Sequence, residues 1–221
     1  HMDYQEELYA KQCRVGDALR RLGGVETELP MTLGAEDPLR YRNKVQYPVR
    51  EGKLGYYASH SHRVVEKEGC ALHHPAMEPV IRTVADFIKK EQISCYEEES
   101  GKGLLRHVYL RTNHDGSEML LTLVINGESL PKKDKLLSLL KDKHPSVTGV
   151  LLNINKKNTN VILGSDYILL AGSETLTDSL LGCTFEMSPA SFYQVNRKGA
   201  ELLYSKVIEF ADLTGDEVVA D

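Results

Sequence analysis

Apolar positions in this chain fall into two spacings, and they divide it into helices and strands. Leu8, Val15, Leu19 and Leu22 recur near helical spacing, which predicts a helix over 3–22 with no capping residue ahead of it and Gly23-Gly24 as its stop. Residues 25–39, with Pro30, Gly34 and Pro38, read as a loop. Tyr41 to Val49 then alternates. Tyr41, Val45, Tyr47 and Val49 share one face, and Arg42, Lys44 and Gln46 share the other, as in a half-buried strand. A turn at 50–53 leads to short strands at 54–58 and 64–65, followed by a helix from Pro75 to about Gln92 that buries Met77, Val80, Ile81, Val84 and Ile88. Leu104 to Thr112 and Glu118 to Asn126 form a hairpin closed by Asn113-His114-Asp115-Gly116, and an amphipathic helix covers 132–143. Strands are expected at 147–155, 161–163, 166–170 and 184–187. Ser188-Pro189 breaks the last of these. A helix follows from about Ser191 to Phe210, with Leu202, Leu203, Val207 and Ile208 as its stripe.

Hairpin-linked strands with a few helices make an α+β pattern, built on a central mixed or antiparallel sheet with flanking helices. The end differs. The helix at 191–210, then Thr214-Gly215-Asp216 and Val218-Val219-Ala220, reads as the first helix and strand of a Rossmann-like nucleotide-binding domain. Three segments follow: an N-terminal helix at 1–24, a central body at 25–187, and the start of a second domain at 188–221.

Charge changes this picture locally. The net charge is −5, yet Arg40, Arg42, Lys44, Arg50, Lys53, Arg63 and Lys67 stand against only Glu51 and Glu66 in one segment. That basic face suits a phosphate backbone or is a solvated strand face. No apolar run approaches the roughly eighteen residues of a membrane span, and no signal-peptide pattern opens the chain, so a soluble cytoplasmic protein is expected. His1-Met2 reads as a remnant of tag removal, and a helix directly behind it suggests a piece of a longer protein. Cys13, Cys70, Cys95 and Cys183 lie too far apart for a C-x-x-C motif and read as reduced thiols. Phe192, Tyr193, Gln194 and Asn196 cluster near the expected helix start. Two rings beside two carboxamides can stack on a planar base and bond its edge, or simply pack and cap a helix.

Four stretches, taken together and in order, resemble the S-adenosylmethionine-dependent RNA uridine C5-methyltransferases, closest to the bacterial members that act on 23S ribosomal RNA. They are Tyr41-Arg42-Asn43-Lys44-Val45, Cys70-Ala71-Leu72-His73-His74-Pro75, Gly103-Leu104-Leu105-Arg106-His107 and Ser188-Pro189-Ala190-Ser191-Phe192-Tyr193-Gln194-Val195-Asn196. The last is the most specific. The resemblance implies that Gln194 contacts the methionine part of S-adenosylmethionine and that Phe192 helps form the pocket for a flipped uracil, with Asn196 beside it. It also offers Arg42, Lys44, Arg106 and Arg111 as RNA contacts, and Cys70 as one ligand of a [4Fe-4S] cluster or else a buried thiol. In such enzymes a cysteine thiolate adds to carbon 6 of uracil and a carboxylate base later removes the carbon-5 proton. Both lie downstream of the 188–196 motif in the family, beyond a Gly-rich cofactor loop that would begin at Asp221. The resemblance therefore implies a fragment that lacks the catalytic cysteine and base and is inactive by itself. A non-catalytic RNA-binding module of the same fold is the alternative.

Overall fold

The computed structural model describes residues 2–66 and 69–220. Lys67, counted above in the basic segment, and Asp221, where a cofactor loop was expected, lie outside the described residues. The chain separates into two compact units, 1–39 and 40–221.

In the first unit, α1 spans Tyr4–Arg21. It does have a cap, contrary to the sequence reading: the Asp3 side chain accepts from the Gln5 amide at 3.0 Å. Glu6 and Glu7 in the first turn and Arg20 and Arg21 in the last suit the helix dipole. The segment after the helix folds back along it. Gln12 Nε2 donates to the Leu29 carbonyl at 2.8 Å, and the Ala35 amide donates to the Tyr4 hydroxyl at 2.7 Å.

The second unit is built on one sheet. Its strands are β1 (Lys44–Arg50), β2 (Lys53–Leu54), β5 (Leu105–Thr112), β6 (Met119–Ile125), β7 (Val147–Ile154) and β8 (Asp166–Gly172), in the spatial order β2-β1-β5-β6-β7-β8. Short strands β3 (Tyr56–Tyr57) and β4 (Val64–Val65) pair with each other between β2 and β5 in sequence. All sheet pairings are antiparallel except β6 with β7, which α3 (Lys133–Lys143) connects. A parallel neighbour needs a crossover of this kind. The sheet is therefore mixed, with α2 (Met77–Lys90) and α3 on one face.

That face is aliphatic. Val45, Tyr47, Val49, Val108, Leu110, Leu121, Leu123, Val150 and Leu152 meet Val80, Val84, Phe87 and Ile88 of α2 and Leu136 and Leu140 of α3. The alternation read from β1 is thus the real one. The opposite face is covered by the hairpin of β9 (Leu176–Leu180) and β10 (Cys183–Met187), and Leu120, Leu151, Leu176, Met187 and Tyr193 form a second, smaller cluster there.

Several elements differ from the sequence reading. Residues 161–163 form no strand, because the Val161 and Ile162 carbonyls accept from Asn155 Nδ2 at 2.8 and 3.0 Å and leave no ladder to join. β9 was not foreseen, and its turn to β10 places Leu181 and Gly182 at φ 48° and 79°. Leucine rarely adopts that conformation, so the turn carries no Asn-Gly signal. The final helix, α4, is Arg197–Ala211 and starts six residues later than expected, and residues 218–220, expected as the strand after it, form none. Among the described residues no helix is long and apolar enough to cross a membrane.

Candidate functional site

The motif at 188–196 lies outside any helix, and what holds it is the hydrogen-bonded face of the sheet. β10 ends at Met187, and Ser188 and Ser191 close a turn: the Ser191 amide donates to the Ser188 carbonyl at 3.2 Å, and the Ser188 amide to Ser191 Oγ at 3.0 Å. From β5, Arg111 donates Nη1 to the Ser188 carbonyl at 2.9 Å and Nη2 to the Ser191 carbonyl at 2.6 Å. The Tyr109 hydroxyl donates to the Pro189 carbonyl at 2.8 Å. Just before β1, Asn43 donates its side-chain amide to the Gln194 carbonyl at 3.0 Å and its backbone amide to the Val195 carbonyl at 3.1 Å. A helix through 191–195 would need those carbonyls for its own ladder, so it cannot begin until they are past. Asn196 then caps it, its Oδ1 accepting from the Gly199 amide at 2.9 Å.

The backbone so fixed presents its side chains in turn. Phe192 is 85% exposed, whereas Tyr193 is buried, its ring 5.7 Å from that of Phe185. Gln194 is half-buried, and its Nε2 reaches the Tyr204 hydroxyl of α4 at 3.5 Å. The Gln194 side-chain oxygen has no hydrogen-bond partner among the described residues and can accept from a ligand. Asn196, expected beside the base, instead spends its side-chain oxygen on the helix cap.

Behind the loop sits a group of cations. Lys44 pairs in register with Arg111, and both side chains stand on the loop-covered face with Arg42 two positions before the strand. Burial first, then Arg111 and Arg42, holds the Lys44 ammonium below its usual range. Among the described residues no carboxylate forms an ion pair with any of the three. Arg42 and Lys44 are both half-buried, so a ligand can reach them.

Two of the expected RNA contacts are corrected by burial. Arg111 is 2% exposed and its guanidinium is spent on the loop carbonyls. Arg106 is 5% exposed, stacks over the Tyr96 ring at 4.2 Å, and donates to the carbonyls of Asn155, Lys157 and Thr159 at 2.8, 2.7 and 3.3 Å. A β-bulge between Leu105 and His107 turns it inward. Both arginines brace loops from within and have no surface to offer a phosphate.

Cys70 is a buried thiol. Tyr56 donates to its sulfur at 3.6 Å, and Arg40 Nη1 donates to its carbonyl. Behind it a buried polar chain runs on from Tyr56 through Tyr47 to His73 and Glu78, with steps of 3.2, 3.0 and 3.1 Å. Among the described residues no group of three or more His, Cys, Asp or Glu side chains is arranged to hold a metal ion. One thiol does not fit a four-iron cluster, whose ligands are four cysteines.

Sequence reasoning missed Tyr109, Asn43 and a buried Asp178. The signal for the last was there in principle, since Asp178 occupies the middle inward position of Leu176-Thr177-Asp178-Ser179-Leu180.

Compared with models of known protein families, the chain matches none. It does align with curated proteins along its entire length. It is 41% identical over 225 residues to an uncharacterized RNA methyltransferase of Caldanaerobacter subterraneus, covering 100% of this chain and 50% of that one. It is 39% identical to one from Clostridium tetani and 37% identical to one from Staphylococcus aureus, covering 49% and 50% of them. The chain thus spans about half the length of the curated relatives it matches. Among solved structures, the Pyrococcus abyssi tRNA (uracil-54, C5)-methyltransferase in complex with S-adenosyl-L-homocysteine superposes with a TM-score of 0.75 at 21% identity, over 95% of this chain and 49% of that one. This chain is therefore similar throughout to proteins named RNA methyltransferases, and it has the fold of about half of a solved tRNA methyltransferase.

Proposed function

We propose that the chain is the RNA-contacting part of a cytoplasmic enzyme that moves a methyl group from S-adenosylmethionine to carbon 5 of a uridine in 23S ribosomal RNA. In that reading 25–187 is the RNA-contacting body and 188–221 begins the catalytic domain, and the chain alone does not complete the reaction.

One observation carries it: a nearly fully exposed Phe192 on a loop whose backbone is pinned by Arg111, Tyr109 and Asn43, with Arg42 and Lys44 behind it and paired with no carboxylate among the described residues. An aromatic ring held this far into solvent is a stacking platform for an unstacked base. Cations without carboxylates are what the flanking phosphates require. S-adenosylmethionine, when bound, supplies the electrophilic methyl group. Of its site this chain provides one fitting group, the free carboxamide oxygen of Gln194, so the chain's own work is recognition. Phe192 stacks on the flipped uracil, Gln194 bonds the cofactor beside it, and Arg42 and Lys44 hold the neighbouring phosphates. A cluster on Cys70 would need three further thiolates from elsewhere in a longer protein, and nothing in the recognition described here passes through it.

The test uses the longer parent protein with 23S and transfer RNA as separate substrates. Gln194→Ala should melt near the wild-type temperature yet methylate 23S RNA roughly 10²-fold more slowly, the scale of a lost transition-state hydrogen bond. Phe192→Ala should weaken RNA uptake by about 1–3 kcal/mol. A Gln194→Ala enzyme of normal rate sinks the reading, and preference for transfer RNA sinks the substrate assignment.

A further inference from the structure

Asp178 is buried where a carboxylate has no obvious reason to be. It is 3% exposed, on a strand whose Leu176 and Leu180 share its inward face. One oxygen is well satisfied: Oδ1 accepts from His114 Nδ1 at 2.6 Å, from the His114 amide at 3.3 Å and from the Ser179 amide at 2.9 Å. The other, Oδ2, is buried without a well-formed hydrogen bond, and so is the Tyr193 hydroxyl. Both residues neighbour Phe185: Asp178 pairs with it in register across the hairpin, and the Tyr193 ring lies 5.7 Å from its ring. Burial first and then the Asp178 carboxylate push the Tyr193 pKa up to about 12, with Arg197 opposing. Leaving a carboxylate oxygen and a phenol unpaired in the interior is costly, and native folds keep few such groups. Each supplies what the other lacks, a donor and an acceptor.

Tyr193 also stands between the two side chains to which the site reading gives roles. Phe192 points out, Tyr193 in, and Gln194 half out. The seat of Tyr193 therefore sets the directions of both neighbours.

We propose that Asp178, oriented by His114, is the positioning residue of this site: it takes the Tyr193 hydroxyl as its second hydrogen bond and so fixes the angle at which Phe192 meets a base. This rests on Phe192 stacking on RNA. Asp178 does not itself touch the base. His114 sits on the β5–β6 turn with its side chain 42% exposed, so the chain of contacts runs from the surface to the loop.

The test uses the full chain and two independent readouts. The first is amide hydrogen exchange without RNA. Tyr193→Phe keeps the ring in its cluster with Leu151, Leu176 and Met187 and removes only the hydroxyl. It should speed exchange at residues 190–194 about tenfold, the scale of one lost hydrogen bond to a charged group, while leaving β5 and β6 unchanged. Unchanged exchange at 190–194 overturns the proposal. The second is binding of fluorescein-labelled oligouridylate by anisotropy. Tyr193→Phe and Asp178→Asn should each weaken it about tenfold, and the double variant no further, because they share one bond. In a Phe192→Ala background Tyr193→Phe should cause no additional loss. A merely structural tyrosine would weaken binding in either background, and that result also overturns the proposal. If the wild-type chain fails to bind oligouridylate, the functional reading fails, while the exchange measurement still decides whether Asp178 seats Tyr193. Should Asp178→Asn not fold, Tyr193→Phe carries both readouts.

Discussion

The two faces of the central sheet are held by different physics. Toward α2 and α3 the strands offer Val45, Val108, Leu121 and Val150, and burial of aliphatic surface does the work. Toward the 188–196 loop β5 offers Tyr109 and Arg111, whose hydrogen bonds to backbone carbonyls hold the loop beside the small cluster of Leu120 and Leu151. Hydrophobic burial is non-directional, so the helix face fixes that the sheet is covered but tolerates some repacking. Hydrogen bonds from Arg111, Tyr109 and Asn43 to five carbonyls of one loop allow a single path for that loop. A side chain such as Phe192 can be presented at a set angle only from the second kind of face.

The largest expected effect tests the helix face. Leu121 is fully buried there, and Leu121→Ala should lower unfolding free energy by about 2–5 kcal/mol in urea denaturation, the range for a leucine-sized cavity. Hydrogen exchange should rise across β1, β5, β6 and β7 alike. A loss confined to the 188–196 loop would break the division between the faces.

Next comes pH. His107 lies on the loop-covered face opposite Pro48, and burial, followed by the Arg106 charge, lowers its pKa to about 4 from an ordinary 6.5. Above about 6.5 the imidazole is neutral whether the chain is folded or not, so the contribution is fully present. Below that the unfolded chain takes up a proton that the folded chain refuses until about pH 4, so stability falls with pH across this window by on the order of 3 kcal/mol. His107→Leu should flatten that part of the pH profile relative to wild type. An unchanged slope between pH 6.5 and 4 would show that the imidazole is hydrated after all.

Arg111→Met comes third. It fills similar volume but leaves the Ser191 carbonyl without a donor and the Ser188 carbonyl with only the Ser191 amide, which costs about 2 kcal/mol. Relief of repulsion at Lys44 offsets part of this, and the Lys44 ammonium should titrate closer to its ordinary value. Exchange should rise at 188–195 more than in α2 or α3. A uniform rise would mean that the arginine supports the sheet as a whole and not the loop.

The same division explains what could be read from sequence. Strands on the helix face were legible because their apolar positions alternate, as in β1, or run on, as in β6. Arg106 and Arg111 were expected as RNA contacts from the family resemblance, which says nothing of burial, and the cover over Arg111 arrives 77 residues later in the chain. The start of α4 was misplaced for a related reason. Phe192 to Val195 carry no residue that forbids a helix, and only Asn43 and Arg111, distant in sequence, show that the carbonyls are already taken. The specific motif itself was legible, because it is local. What the sequence could not show was how the distant partners Asn43, Tyr109, Arg111 and Asp178 hold it in place.

The smallest expected effect has the opposite sign. Thr122 stands in the middle of the loop-covered face, between Tyr109 and Leu151, and its hydroxyl is buried without a hydrogen-bond partner. Valine has nearly the same shape and keeps the β-branched side chain that suits a strand, while removing the unsatisfied group. If this face is held by its satisfied hydrogen bonds alone, the lone hydroxyl only costs desolvation, and Thr122→Val should stabilise the chain by about 1 kcal/mol without changing oligouridylate binding. A loss of stability would mean that the hydroxyl is bonded in solution, for instance through a buried water shared with Tyr167, whose own hydroxyl is buried and unpartnered. Urea melts of the single variant and of Thr122→Val combined with Tyr167→Phe separate the two outcomes. Additive gains confirm two independent orphaned groups, whereas a loss in the single variant that disappears in the double one identifies a shared water and adds a further hydrogen-bonded anchor beneath the loop.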